Sequence, residues 1–534
     1  MRSRYRRLLL VLGSSAVMSA CSPSANVTAP AAGNPTLHRG LGGEPGSLDP
    51  ALAGDSFSSA ILRDVYEGLT TAGPDGSIVP GIAESWTVSE DGTRYVFKLR
   101  RDAKWSNGEP VRAEDFLRAW KRELDRGTGS PVVDDLRIIA GAKEIIAGRA
   151  FPDALKVTVA GPDELVVILE APAAYFLELL THSALFPIYS DEAAKSHGGA
   201  SWVSDGPYVL KSWTPGGSIE LGKNPNYYAR DSVAIPNVEY VPVPNDQSEL
   251  QRYRAGQLDI TESVPTAAAA TLRKEQPQEL KVAPYLATAF YVFNLRRAPF
   301  KNNHELRQAL TMVIDRRILL TSILPFGQNP AFGLVPPGTS NYTPQTWGWA
   351  DWPDAQRVAE AKRLYAKAGY STRTPLRLRL LYNSNPAIKQ LAVAVASMWK
   401  EELGVETDMH EEEYRSYLAD RKDTTQWDLV RFAWSGDYSD ATSFLDIFRK
   451  GSPNNDAAYD NAQFDTLLND AERTVDIAAR RAQLESAERM MLEDYPVLPL
   501  YFLSSKHLVK PYVHGYYSSP LNRVYTRYLS LGPH

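Results

Sequence analysis

Leu376-Arg377-Leu378-Arg379-Leu380 alternates apolar and cationic side chains with the period of a strand that buries one face. Asn383-Ser384-Asn385-Pro386 follows, a capping sequence with a proline suited to the first helical turn, and Ile388, Leu391, Val395, Met398 and Trp399 then recur at helical spacing. Gly404 is placed to end that helix. Val405-Glu406-Thr407-Asp408-Met409 reads as the next strand, and Tyr414 and Leu418 belong to a further helix. Trp427-Asp428-Leu429-Val430-Arg431-Phe432-Ala433 is an apolar run with the character of a buried strand. Strands alternating with helices predict βαβ units in a parallel or mixed sheet. Such sheets bind ligands beyond the carboxyl ends of their strands.

Trp434-Ser435-Gly436-Asp437-Tyr438 emerges from the last of these strands. A carboxylate at that end, between two aromatic rings, is placed to meet one cationic group where water is scarce, which points to a ligand amine. Standing alone, an Asp after a strand is more often a turn former or helix cap, because it accepts local backbone hydrogen bonds. The remainder of the chain has to choose between the two.

Upstream the pattern is more β-rich. Ser56 to Leu69 has helical spacing, with Ile61, Leu62, Val65 and Leu69 on one side. Turns at Gly73-Pro74-Asp75-Gly76 and Glu90-Asp91-Gly92 bracket strands at 86–88 and 95–99, a helix begins at Ala113 with acidic residues in its first turn, and strands return at 157–159 and 164–168. Residues 70–190 therefore read as a compact α+β lobe. Strands at 208–210, 218–221 and 238–241 precede a helix at 247–254. Gly217 to Lys223 has the spacing of a phosphate-binding loop, but Asn224 stands where a Ser or Thr should hold the metal and the segment lies on a strand.

With 534 residues the chain exceeds one ordinary core, so two or three lobes are expected. Arg2, Arg4, Arg6 and Arg7, the apolar run 8–17 and Met18-Ser19-Ala20 make a secretory signal over residues 1–20. Cys21, the one cysteine, follows directly, as in a bacterial lipobox, although Met18 replaces the usual Leu; lipid attachment accounts for both its position and its solitude. Residues 22–35, rich in Ser, Ala, Pro and Thr, read as a flexible tether. Loss of the four arginines with the signal would take the net charge from −5 to −9, which argues against a nucleic-acid partner. Eight scattered histidines and one cysteine give no metal-site spacing, and neither HExxH nor GxSxG occurs, so no metal, cofactor or enzymatic chemistry is expected. His304 reads as a surface or cap histidine on its helix. The 27 Tyr and 11 Trp suit a core or an amphipathic ligand pocket.

Several segments, taken in order, resemble the extracellular solute-binding proteins of family 5, most closely the oligopeptide-binding receptors of bacterial ABC importers. They are Asp64 to Leu69, Pro80 to Trp86, Tyr95 to Val111, Asp115-Phe116, Gly206 to Tyr208, Asn224 to Tyr227, Asn294, Pro299-Phe300 and Leu508 to Pro511. The resemblance implies an α/β fold of the type II periplasmic-binding kind, with two large mixed-sheet lobes and a smaller α+β lobe. The first lobe would comprise 36–66, 191–286 and 505–534, the small second lobe 67–190, and the third 287–504. An extended peptide would lie between lobes as an added strand, held mainly through its main chain. Asp437 matches the position that pairs with the peptide α-amine, Trp434 and Tyr414 match aromatic pocket positions, and Arg431 matches a cation that meets the peptide carboxylate. Ala433 and Ser435 would offer main-chain groups. The chain departs from the family where Ala287 and Ser435 replace a cysteine pair, where Leu324 and Ile388 replace two carboxylate-binding cations, and where Val132 and Leu503 replace pocket tyrosines. The expected protein is a monomeric, membrane-anchored lipoprotein outside the cytoplasm that delivers oligopeptides to an ABC permease. The alternatives are a receptor for another ligand, such as cell-wall peptides, a nickel complex or haem, and an exported peptide hydrolase.

Overall fold

The computed structural model describes residues 35–196 and 202–533. The expected signal segment, Cys21 and the tether lie outside the described residues.

Residues 376–435 form the βαβ units expected of them. Arg377–Asn383, Glu406–Glu412 and Leu429–Ser435 are strands, joined by helices Pro386–Leu403 and Tyr414–Lys422. Asn385 caps the longer helix, its side-chain oxygen accepting from the amides of Ala387 (2.9 Å) and Ile388 (3.3 Å). Gly404 closes it at φ 76°, a left-handed conformation glycine adopts without a Cβ clash. Leu391, Val395, Trp399 and Leu403 are buried along its inner face, and the Trp399 indole donates to the Leu310 carbonyl.

The six-stranded sheet runs in the order Asn329–Pro330, Val497–Leu508, Leu280–Phe293, Leu429–Ser435, Arg377–Asn383, Glu406–Glu412. The last three strands pair in parallel and the others antiparallel, so the sheet is mixed. Its core draws on residues from Leu286 to Tyr501 and includes Trp427, Trp399 and Phe290. The Leu280–Phe293 and Val497–Leu508 strands are long because they cross between bodies. Leu280 pairs with Leu508 beside a small cluster containing Leu250, Tyr253 and Leu272, and Val292 pairs with Val497 inside the large core.

A second sheet sets Thr36–Leu41 parallel to Asn237–Pro242, followed by Ile219–Lys223 and Tyr208–Trp213. An antiparallel sheet of Ala83–Val88, Arg94–Leu99, Glu164–Ile168 and Val157–Gly161 makes the small α+β part. These two sheets share one apolar core, which also takes in Tyr438 from the far side of the molecule. The helix read over 56–69 stops at Val65, where Tyr66 turns extended and its amide closes on the Leu62 carbonyl. The chain then passes too close to a neighbour for helix: a Cβ on Gly68 would lie 2.3 Å from the Leu180 carbonyl oxygen. The phosphate-loop look-alike at 217–223 is indeed strand from Ile219.

Candidate functional site

The Leu429–Ser435 strand loses one neighbour part-way. It pairs with Arg377–Asn383 only at Leu380↔Leu429 and Leu381↔Val430, while Arg377–Asn383 stays with Glu406–Glu412 as far as Asn383↔Glu412. On its other side it remains paired with the Leu280 strand out to Ala287↔Ser435. The Gly436 amide donates to the Leu286 carbonyl (2.8 Å), and this fixes the phase of the antiparallel ladder. Even-numbered residues turn their N–H and C=O toward the Leu280 strand, and Arg431, Ala433 and Ser435 turn theirs away. The Tyr417 hydroxyl covers the Arg431 carbonyl. Ala433 and Ser435 thus present main-chain donors and acceptors on an unpaired edge, which is what an extended ligand needs in order to add as a strand.

Asp437 sits where that edge ends. Its amide donates to the Ser443 hydroxyl (2.9 Å) and its carbonyl accepts from the Arg523 guanidinium, so its backbone is fixed. Among the described residues no group donates to its half-buried carboxylate. Burial, reinforced by the charge of Asp135, pushes that carboxyl up from 3.8 to about 6, against the opposing pull of His182 and Arg523.

The other expected residues fall around this edge unequally. Trp434 is half-buried, packs on Phe432 (6.1 Å between ring centroids) and donates its indole N–H to the Ser443 carbonyl. Arg431 meets the Asn383 side-chain oxygen at 3.3 Å and, among the described residues, has no carboxylate within ion-pair distance. Tyr414 is 55% exposed on its helix, stacked on Tyr417. Ala287 and Ser435, where family members carry cysteines, stand opposite each other in register; the Ser435 hydroxyl instead accepts from Tyr285 (2.7 Å). Leu324 and Ile388 pack against the large core and Val132 against the shared core, so apolar contacts replace the polar groups expected there.

The structure adds residues that no sequence pattern pointed to. The turn after Asp437 reaches the small α+β part: Tyr438 stacks on Tyr175 at 4.2 Å with planes 7° apart, and the Ser439 amide donates to the Glu178 carboxylate. Arg523, from the C-terminal segment, bridges the Asp437 carbonyl and the Thr181 hydroxyl. Next to Thr181, His182 faces Asp135 at 2.9 Å. Behind the turn lies a cavity of about 310 Å³ walled by the 73–78 hairpin, Ser439, Arg523 and Tyr525; Asp437 does not line it. Among the described residues no cluster of three or more His, Cys, Asp or Glu could hold a metal, and no helix is long and apolar enough to cross a membrane.

Residues 77–456 match the sequence pattern of the bacterial extracellular solute-binding proteins, family 5 Middle. The chain belongs to this family. It is 36% identical over 509 residues, 93% of each chain, to the periplasmic oligopeptide-binding protein OppA of Escherichia coli K12. The structure of the E. coli murein tripeptide-binding protein MppA superposes with a TM-score of 0.87 at 33% identity, covering 93% of this chain and 99% of that one. An unliganded open form of MppA, with 93% and 98% coverage and 33% identity, gives only 0.74. The fold is thus that of the type II periplasmic binding proteins.

Proposed function

We propose that this family 5 protein is a receptor that encloses oligopeptides between its lobes and hands them to the membrane permease of an ABC importer. One observation carries the reading: a strand edge at Ala433 and Ser435, unpaired among the described residues, leads directly to the Asp437 carboxylate, which has no donor among them. A peptide supplies what both lack, a main chain to complete the edge and an ammonium to meet the carboxylate. Trp434 borders the edge, and Arg431, with no carboxylate within ion-pair distance among the described residues, takes the ligand's carboxyl end. Recognition through backbone and termini leaves the side chains of the ligand largely unread. OppA and MppA, the relatives above, are named for binding oligopeptides and murein peptide, and both names favour a peptide ligand.

The same reading covers the organisation of the chain. Residues 36–66, 191–286 and 505–534 act as one lobe, 67–190 as the small lobe and 287–504 as the third. Cys21, lipidated after loss of residues 1–20, tethers a monomer to the membrane, and no chemistry is performed on the ligand. Native mass spectrometry of the purified full chain tests the function. Co-purifying peptides of mixed sequence are expected; an empty protein that cleaves added peptides would overturn it in favour of a hydrolase. For the anchor, Cys21→Ser should move the protein from the membrane fraction to the soluble one.

A further inference from the structure

We infer that Asp135, held by His182, is a second carboxylate of the ammonium site, contributed by the small α+β part across the cleft from Asp437. This rests on the peptide reading and deepens it.

The placement follows from contacts independent of any ligand. Arg523 grips both sides of the cleft at once, through the Asp437 carbonyl and the Thr181 hydroxyl (2.9 Å). His182, the next residue after Thr181, lies 2.9 Å from Asp135 through its Nδ1. Both side chains are largely buried, at 12% and 16% exposure, and the Nδ1 contact is made to Oδ2 of Asp135. Asp135 stands on the 3-10 turn Val133–Ile138, whose Leu136 and Ile138 anchor it in the shared core, so the carboxylate is presented from a fixed element. Tyr175 and Tyr438, stacked at 4.2 Å, keep the two walls in register beside it.

Charge counting explains why a second acid belongs there. Asp437, Asp135 and Glu178 are three carboxyl groups gathered around the one guanidinium of Arg523, and a terminal ammonium adds a positive charge to that acidic group. An ammonium also has three N–H donors, more than one carboxylate accepts well. After burial, the charge of Asp135 is what most raises the Asp437 carboxyl, so the two acids act on each other. A ligand amine shared between them relieves that repulsion, and it does so only when the cleft is closed. Asp135 thereby favours ligands with a free N-terminus over blocked ones.

The test uses the full chain and a library of alanine-rich peptides of about three to five residues, each present with a free and with an acetylated N-terminus. Competition is read by native mass spectrometry. The wild type is expected to prefer the free forms, and Asp135→Asn to lose about tenfold of that preference while binding the acetylated forms as before. Equal weakening toward both forms would show a merely structural role and overturn the inference. His182→Gln, which leaves the acid without its partner, should reduce the same preference with less effect. Asp437→Ala separates the two levels: if it abolishes the preference while Asp135→Asn keeps it, only the present inference fails. If the wild type takes neither form, the peptide reading fails with it. Unaltered melting of each variant establishes that a loss is not misfolding.

Discussion

At Asp437, burial and charge set opposite demands on the empty and the filled site. The empty carboxyl, pushed up to about 6, resists ionisation, whereas an ammonium ligand binds the ionised form. Peptide affinity should therefore be greatest near pH 7, between the Asp437 carboxyl and the ligand's α-ammonium, and fall by up to about tenfold per unit below pH 6, with proton release on binding near pH 6. Calorimetry in two buffers of different ionisation enthalpy measures both. Stability has the reverse sign. Because the folded value lies above the unfolded one of 3.8, this group's contribution is fully present below about pH 4 and is lost as pH rises through about 6. Asp437→Asn should accordingly raise the melting temperature of the empty protein at pH 7.5 and leave it unchanged at pH 4. Asp437→Ala should weaken peptide binding about a hundredfold or more, the usual cost of removing one partner of a buried ion pair; calorimetry showing unaltered affinity would remove this residue from the site.

The Leu429–Ser435 strand explains how a receptor can be strict about the ligand's backbone and indifferent to its sequence. Its free edge begins where pairing with Arg377–Asn383 ends, after Val430, because the latter strand diverges to follow Glu406–Glu412. The side chains of an added strand point alternately up and down, away from the bonded edge. In the proposed binding mode only every second ligand residue turns its N–H toward Ala433 and Ser435. A scan of single N-methylations along a bound peptide should therefore show an alternating pattern, with losses of about tenfold at the facing amides and little change between them. Uniform losses would show that the peptide is not bound as a strand.

Across the whole molecule, closure is held by a few contacts between otherwise separate walls. Lys143 pairs with Glu472 at 3.2 Å, Ser439 donates to Glu178, and Tyr175 stacks on Tyr438 and has the Arg480 guanidinium 5.7 Å from its ring centroid. The aromatic stack is worth about 0.5–1.5 kcal/mol and forms only when the walls meet. Tyr175→Ala should shift the equilibrium toward open and weaken peptide binding by about two- to tenfold without touching the ligand. Small-angle scattering should show a larger radius of gyration for this variant at subsaturating peptide than for the wild type, and an identical radius would show that the stack does not govern closure.

The periodicity of residues 376–435 was enough to place three strands and two helices, because each is specified locally, by alternation, by the Asn385 cap and by the Gly404 stop. Asp437 at a strand end was legible for the same reason, and likeness to a family supplied its expected role. Hidden in the sequence were the loss of the neighbouring strand after Val430, the contact of Arg523 with Asp437 and Thr181, and that of His182 with Asp135. These residues come from distant parts of the chain and obey no common spacing. Their approach follows from how the two cores pack across the cleft, with Tyr438 leaving one to be buried in the other. Local propensity is written residue by residue, but the electrostatics of a cleft depend on distances between residues that only tertiary packing sets.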